Sequence, residues 1–285
     1  MKSHRRRALY AAALASLGPL VATTVSSAST TTTTINPGPP QVIVSAFSEK
    51  GDFIANGVSS VLTTHWSTVR ATTTGVYLSN NNPAAKSFAT FSFAPVAGET
   101  LAVGTYTNVQ RAAYRSAGFP GIEITGPGRP TGCVRLSGSF QIWDVASDAA
   151  GTLTRLDLTY VEHCGAGRPA NYGEILINDA PHVGALTASA RRIAFPDQTP
   201  TLPYVLINPT AQVQPVSLWQ SATTVSHFTV TPASPNCATS VPAQGSCLYW
   251  LRLLPPRPGL YHATILVAST SATLRLPLSG PAGGV

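Results

Sequence analysis

Apolar and polar residues alternate with a period of two along much of the chain. In Leu153–Glu162, Leu156, Leu158 and Tyr160 fall on one face and Arg155, Asp157 and Thr159 on the other. This is the pattern of an antiparallel strand with one face buried and one solvated. The turn-forming Asp148-Ala149-Ala150-Gly151 precedes it, and the apolar-rich stretch Leu136–Val145 lies upstream, which predicts a hairpin. Further short strands are expected over Val42–Phe47, Val76–Ser79, Phe88–Phe93 and Glu174–Asn178. They continue over Val205–Asn208, Val216–Trp219, Phe228–Thr231, Leu248–Leu254, Tyr261–Ala268 and Thr273–Leu278. Beyond residue 28 no stretch carries a persuasive 3.6-residue period. Short strands separated by turns predict an all-β chain built of two antiparallel β-sandwich domains.

Composition agrees with this pattern. Gly 23 and Pro 24 supply dense turn punctuation, and only 10% of residues are charged, far fewer than helical bundles or coiled coils carry. The first 28 residues stand apart. Lys2, Arg5, Arg6 and Arg7 precede an acid-free apolar run, Ala8 to Ala22, and then Ser26-Ser27-Ala28. That is the three-part plan of a secretory signal cut near Ala28. No later stretch reaches the roughly 20 apolar residues of a membrane-spanning helix, so no transmembrane segment is expected once the signal is removed, and an extracellular protein is predicted. Residues 29–40 are a Thr- and Pro-rich linker. Domains are then expected over 41–182 and 183–285. Arginine outnumbers lysine 15 to 3, the bias of a GC-rich genome, so a bacterial source is expected.

Charge changes meaning once the signal is set aside. The net +7 falls to +3, split between a domain with nine basic and ten acidic residues and one with five basic residues and the single acid Asp197. The basic residues of the second domain, Arg191, Arg192, Arg252, Arg257 and Arg275, are too scattered for a nucleic-acid surface. An even number of cysteines in an exported chain reads as disulfides. Sequence proximity and the domain boundary favour Cys133–Cys164 and Cys237–Cys247 among the three possible pairings. Zinc would want Cys-x-x-Cys spacing or close histidines, and only His163-Cys164 is suggestive; no metal and no cofactor is expected.

The second domain resembles the immunoglobulin-like modules called choice-of-anchor D or ASH-type domains. The resemblance rests on Phe195, Val205-Leu206-Ile207-Asn208, Phe228 before Cys237, Val241-Pro242-Ala243-Gln244-Gly245-Ser246-Cys247, and then Pro255 to Gly259 and Tyr261-His262-Ala263-Thr264. It covers about 85 residues, with Leu254 where an aromatic is usual. It implies an immunoglobulin-like sandwich acting as a structural or binding unit. The first domain resembles a poorly characterised bacterial secreted domain. It opens with Gly51-Asp52-Phe53-Ile54-Ala55-Asn56-Gly57 and ends near Tyr160-Val161-Glu162-His163-Cys164. That resemblance implies a fold and a compartment but no activity.

The chain has no nucleophile elbow, His-Glu-x-x-His helix, P-loop or calcium loop. The loop Gly126–Gly132 lacks the spacing and amide donors of a phosphate cradle. Glu162 and His163 are the most suggestive polar pair, since a carboxylate beside an imidazole suits acid–base chemistry or metal binding. The structural alternative has Glu162 continuing the Leu158/Tyr160 face and pairing with Arg111 or Arg135, while His163 satisfies backbone groups near the disulfide. Asp52, with Glu49, suits calcium or, more simply, a capped turn. Trp143 is a candidate sugar platform or a core residue. The leading expectation is a secreted, non-catalytic protein for binding, adhesion or a cell-envelope accessory role. Its partner is unspecified, with a cell-surface glycan or protein in view. The alternative is a carbohydrate-binding module or glycoside-acting enzyme that pairs Glu162 with Glu174 or Asp52 across a cleft.

Overall fold

The computed structural model describes residues 40–82, 87–126, 129–165, 169–195, 201–220, 227–254 and 259–282. The expected export signal at 1–28 and all but Pro40 of the expected linker lie outside the described residues. Among the described residues the chain is all-β, with two short 3₁₀ turns, Ala112–Tyr114 and Pro235–Ala238.

The first pair of sheets uses the N-terminal half. One sheet runs Ser60–Leu62, Val42–Ser48, Ala170–Ile177, Leu153–Cys164, Leu136–Ser147 and Gly104–Thr107, antiparallel throughout. The facing sheet runs Trp66–Thr72, Gly75–Asn82, Ser87–Ala94 and Gly121–Thr125, with Gln110–Arg111 parallel at its edge. The expected hairpin forms: the strands Leu136–Ser147 and Leu153–Cys164 pair antiparallel, and Gly151 N donates to the Asp148 carbonyl in the turn between them. Trp66–Thr72, Gly104–Thr107 and Gly121–Thr125 lack a clear sequence signal. The first two are edge strands that bury few residues, and the third is only five residues long.

A second pair of sheets follows. Leu186–Ala188, Thr201–Ile207, Ser246–Leu253 and Phe228–Pro232 form one, with His182–Val183 at its margin. Thr273–Ala282, Gly259–Ala268 and Ser217–Gln220 form the other, with Ile193–Ala194 added in parallel. Both disulfides join the pairs expected from spacing, Cys133–Cys164 and Cys237–Cys247, each with Cα atoms 5.5 Å apart. All four thiols are thereby consumed.

Each sandwich has a core. In the first, Val44, Leu78, Phe91, Phe93, Ile122, Phe140, Ile142, Leu156, Leu158 and Ile175 pack between the sheets. In the second, Tyr204, Leu206, Tyr249, Leu251, Ile265 and Leu276 do so. The second core reaches beyond its own sheets to include Phe47, Ala170 and Tyr172. These lie on the outer face of the first sandwich, because alternation sends Val44 inward and Phe47 outward on one strand, and Ile175 inward and Tyr172 outward on the next. All eight residues of Ala170–Ile177 are therefore buried. The strand is covered on one side by its own sandwich and on the other by the second. Asp157, on the face expected to meet solvent, is only 2% exposed for the same reason.

Candidate functional site

The Gly51–Gly57 segment winds around one carboxylate oxygen. Asp52 Oδ2 accepts from Ser48 Oγ at 2.9 Å and from Ala55 N at 2.8 Å, and Asn171 Nδ2 approaches it at 3.5 Å. Gly57 N donates to Ser48 Oγ at 2.8 Å, and Gly51 N to Asn56 Oδ1 at 3.2 Å. Gly57 sits at φ +87° with the Lys50 backbone close to where a Cβ would stand, so only glycine turns the chain back here without strain. Glu49 Oε2 accepts from Ala170 N at 2.7 Å and ties the segment to the sheet.

This loop walls a cleft of about 1190 Å³ in the first sandwich, lined by residues of both its sheets. Its apolar lining includes Phe53, Ile54, Leu62, Phe88, Phe91 and Ile124. Asp52, Asn80 and Asn171 supply polar groups, and Arg129 and Arg135 stand exposed at the rim. The Arg129 guanidinium lies 4.5 Å above the Phe53 ring. Cys164 also lines the cleft, so the Cys133–Cys164 disulfide fixes the rim segment to the end of a core strand.

Glu162 lies beside this cleft and inside the sandwich. It continues the Leu158/Tyr160 face, is 1% exposed, and sits opposite Asn171 across the ladder. Neither of its carboxylate oxygens has a hydrogen-bond partner, and Asp52 Oδ1 has none either. Arg111, one expected partner, is instead paired with Glu123 at 2.7 Å and donates to the Thr131 carbonyl. Arg135, the other, is exposed at the rim. Burial pushes the Glu162 carboxyl up to about 8, helped by the charges of Asp52 and Glu123 and opposed by Arg111. Tyr160 Oη donates to Asn171 Oδ1 at 3.0 Å, and burial, with the nearby acids, holds that phenol far above its usual range. His163, half-buried, follows Glu162 on the strand and so points to the other face. The two do not share a site.

Trp143 takes the outer face. Alternation from the core residues Phe140 and Ile142 turns Trp143 outward, and a bulge between the pairs Asp157/Asp144 and Leu158/Ile142 leaves it as the extra residue, so Asp144 shares the outer face with it. Trp143 is 44% exposed, its Nε1 donates to Thr159 Oγ1 at 2.9 Å, and the Arg192 guanidinium sits 4.4 Å from its ring centroid. Arg192 is the centre of a clamp between the sandwiches. It donates to both carboxylate oxygens of Asp157 at 2.8 Å and to Glu174 Oε1 at 2.6 Å. Arg191 N donates to Glu174 Oε2 at 2.9 Å, and Arg191 Nη2 to Asp179 Oδ1 at 2.8 Å. Ser45 Oγ donates to the Ser189 carbonyl at 3.0 Å. Burial and the adjacent Asp157 raise the Glu174 carboxyl, and Arg192 draws it back. Trp143, Thr159, Glu174 and Arg192 line a second groove of about 540 Å³ that His262 and Leu278 close from the other sandwich.

Of the residues singled out in the sequence, the structure therefore brings together Asp52, Glu162 and Cys164, and places Trp143 at a separate groove. The cleft's aromatic and aliphatic lining is a feature that the sequence does not announce. Among the described residues no helix is long and apolar enough to cross a membrane, and no cluster of three or more His, Cys, Asp or Glu is arranged to hold a metal ion.

No family model matches the chain, and no curated protein does. Among solved structures, one described as Vibrio cholerae VesB protease aligns over 85% of this chain and 95% of its own, at 9% identity and a TM-score of 0.28. A likeness that loose carries no argument about fold or activity.

Proposed function

We propose that this is a non-catalytic binding protein of the cell exterior, and that its ligand enters the cleft of the first sandwich. The observation that carries this reading is the cleft itself: a large space with mostly apolar walls and a few convergent polar groups, as ligand sites have. The two segments behind the resemblance of the first domain, Gly51–Gly57 and Tyr160–Cys164, meet at this cleft. The disulfides fit an oxidising compartment, and the N-terminal segment supplies the export signal. A glycoside-cleaving role would need two carboxylates open to substrate. Asp52 braces its loop through Oδ2, Asp52 and Glu162 are both too buried to flank a sugar ring, and Glu174 is held by Arg192. The test is calorimetric titration of the protein with 1-octanol, an uncharged apolar probe. Saturable binding, lost in Ala89→Trp, which fills the cleft, is expected; no binding overturns the reading.

A second reading, glycan binding at the inter-sandwich groove, is favoured by the exposed Trp143 ring beside Thr105, Ser139, Gln141 and Thr159. Arg192 already covers part of that ring, which weighs against it as a stacking platform. A glycan array decides: reproducible binding that Trp143→Ala removes would establish it, and a blank array would dismiss it.

A further inference from the structure

The cleft contains an unanswered request for hydrogen-bond donors. Asp52 lines it, is only 3% exposed, and leaves Oδ1 without a partner. Glu162, paired on the ladder with the cleft-lining Asn171 and close enough to Asp52 to feel its charge, has two more oxygens with no partner. Buried polar atoms in folded proteins are nearly always satisfied, and a cluster of three left open is expensive. Among the described residues, four donors near these acids are already committed. Ser48 and Ala55 N serve Asp52 Oδ2, Tyr160 Oη serves Asn171, and Arg111 serves Glu123. The described cations that line the cleft, Arg129 and Arg135, are exposed at its mouth. Apolar walls lie between rim and floor, with Phe91 and Ile124 among the residues lining the cleft.

From this arrangement we infer that the cleft takes an amphipathic amine, its apolar body against Phe53, Phe88 and Phe91 and its ammonium group at Asp52 Oδ1 and Glu162. An ammonium carries three donors and no acceptor, which matches three open carboxylate oxygens. Its positive charge would also draw the Glu162 carboxyl down, so that Glu162 gives up the proton that burial and Asp52 favour and both its oxygens become acceptors. The inference rests on the cleft being the binding site, as proposed above, and adds the chemistry of the head group.

The experiment is titration of the protein with octylamine, 1-octanol and octanoate at pH 7, followed by the same series with Asp52→Asn and Glu162→Gln. Octylamine is expected to bind at least tenfold more tightly than octanol, the step that a charge-assisted hydrogen bond adds. Octanoate should bind more weakly than either. In Asp52→Asn the amine-to-alcohol ratio should fall towards one. Should that variant fail to fold, because Asp52 also braces its loop, Glu162→Gln must lower the ratio instead. Equal binding of amine and alcohol overturns the head-group assignment and leaves the cleft reading standing. Tighter binding of octanoate overturns it in favour of the rim arginines. Failure of all three probes overturns both.

Discussion

Replacing Glu162 by Gln should make the protein more stable, and only above mildly acidic pH. A carboxyl that is harder to ionise folded than unfolded binds its proton more tightly in the native state. Stability then declines as pH rises from the ordinary 4.5 to about 8, where Glu162 finally ionises in the fold, and is level beyond. Each pH unit in that window costs about 1.4 kcal/mol, so the whole window sets a ceiling of roughly 4–5 kcal/mol. Substitution series put the cost of one unsatisfied buried polar group lower, at about 1–3 kcal/mol. We therefore expect a gain of about 2–4 kcal/mol for Glu162→Gln at pH 8.5. Near pH 4.5 almost none is expected, because protonated Glu and Gln are nearly the same shape and charge. Glu174 titrates in the same sense, but it is present in both proteins and cancels in the difference. Urea unfolding followed by tryptophan fluorescence at the two pH values measures that difference. A gain of the same size at both, or a loss at pH 8.5, would refute the assignment of Glu162 as a buried, unpaired acid.

Other outcomes follow from the clamp, the disulfides and the shared face. Arg192→Ala should cost about 3–5 kcal/mol in chemical denaturation, because it strands Asp157 and Glu174 in the interface. Arg192→Lys should recover only part, since an ammonium cannot copy the two-pronged contact with Asp157. The double substitution Cys133→Ala/Cys164→Ala should cost about 3–4 kcal/mol on the chain-entropy view and weaken octanol binding, since Cys164 lines the cleft. Unchanged affinity would separate the disulfide from the site. A chain ended at residue 182 would expose Ile43, Phe47, Tyr172 and Leu176. It should self-associate on size-exclusion chromatography and bind an apolar dye, and a well-behaved monomer would contradict the shared-core description.

Local pattern carried much of the fold. The face of Leu156, Leu158 and Tyr160 could be extended by arithmetic to Glu162, and the structure places Glu162 on it. Its isolation could not be read, because Arg111 had two acids within plausible reach and takes Glu123. Val145 illustrates a different limit. Alternation puts it on the face of Gln141 and Trp143, but the bulge at Trp143 brings it opposite Leu156 on the core side, and nothing in Gln141-Ile142-Trp143-Asp144 marks that change. Asp157 and Glu174 read as solvated or catalytic candidates, since burial by another sandwich is a long-range fact. Arg191 and Arg192 looked like part of a diffuse positive charge and are instead consumed by that burial. The cleft was hidden for the same reason: Phe53, Leu62, Phe88 and Ile124 come from four separate stretches, and only the assembled sandwich brings them around one space.

The strand Ala170–Ile177 bears on when the protein can fold. Val42–Ser48, among the first described residues, has its longest pairing with this strand, far along the chain. The first sheet thus cannot close until residue 177 has emerged, and its outer face then waits for Phe195, Leu251 and Leu278 to complete the core that includes Tyr172. Pairings so distant in sequence form slowly. A chain threaded through an export channel from its N-terminus would remain open for most of its passage and settle only after nearly all of it had crossed. Late commitment of this kind suits a protein that must be translocated unfolded, and it leaves an unpaired, apolar strand in need of protection until the last segments arrive.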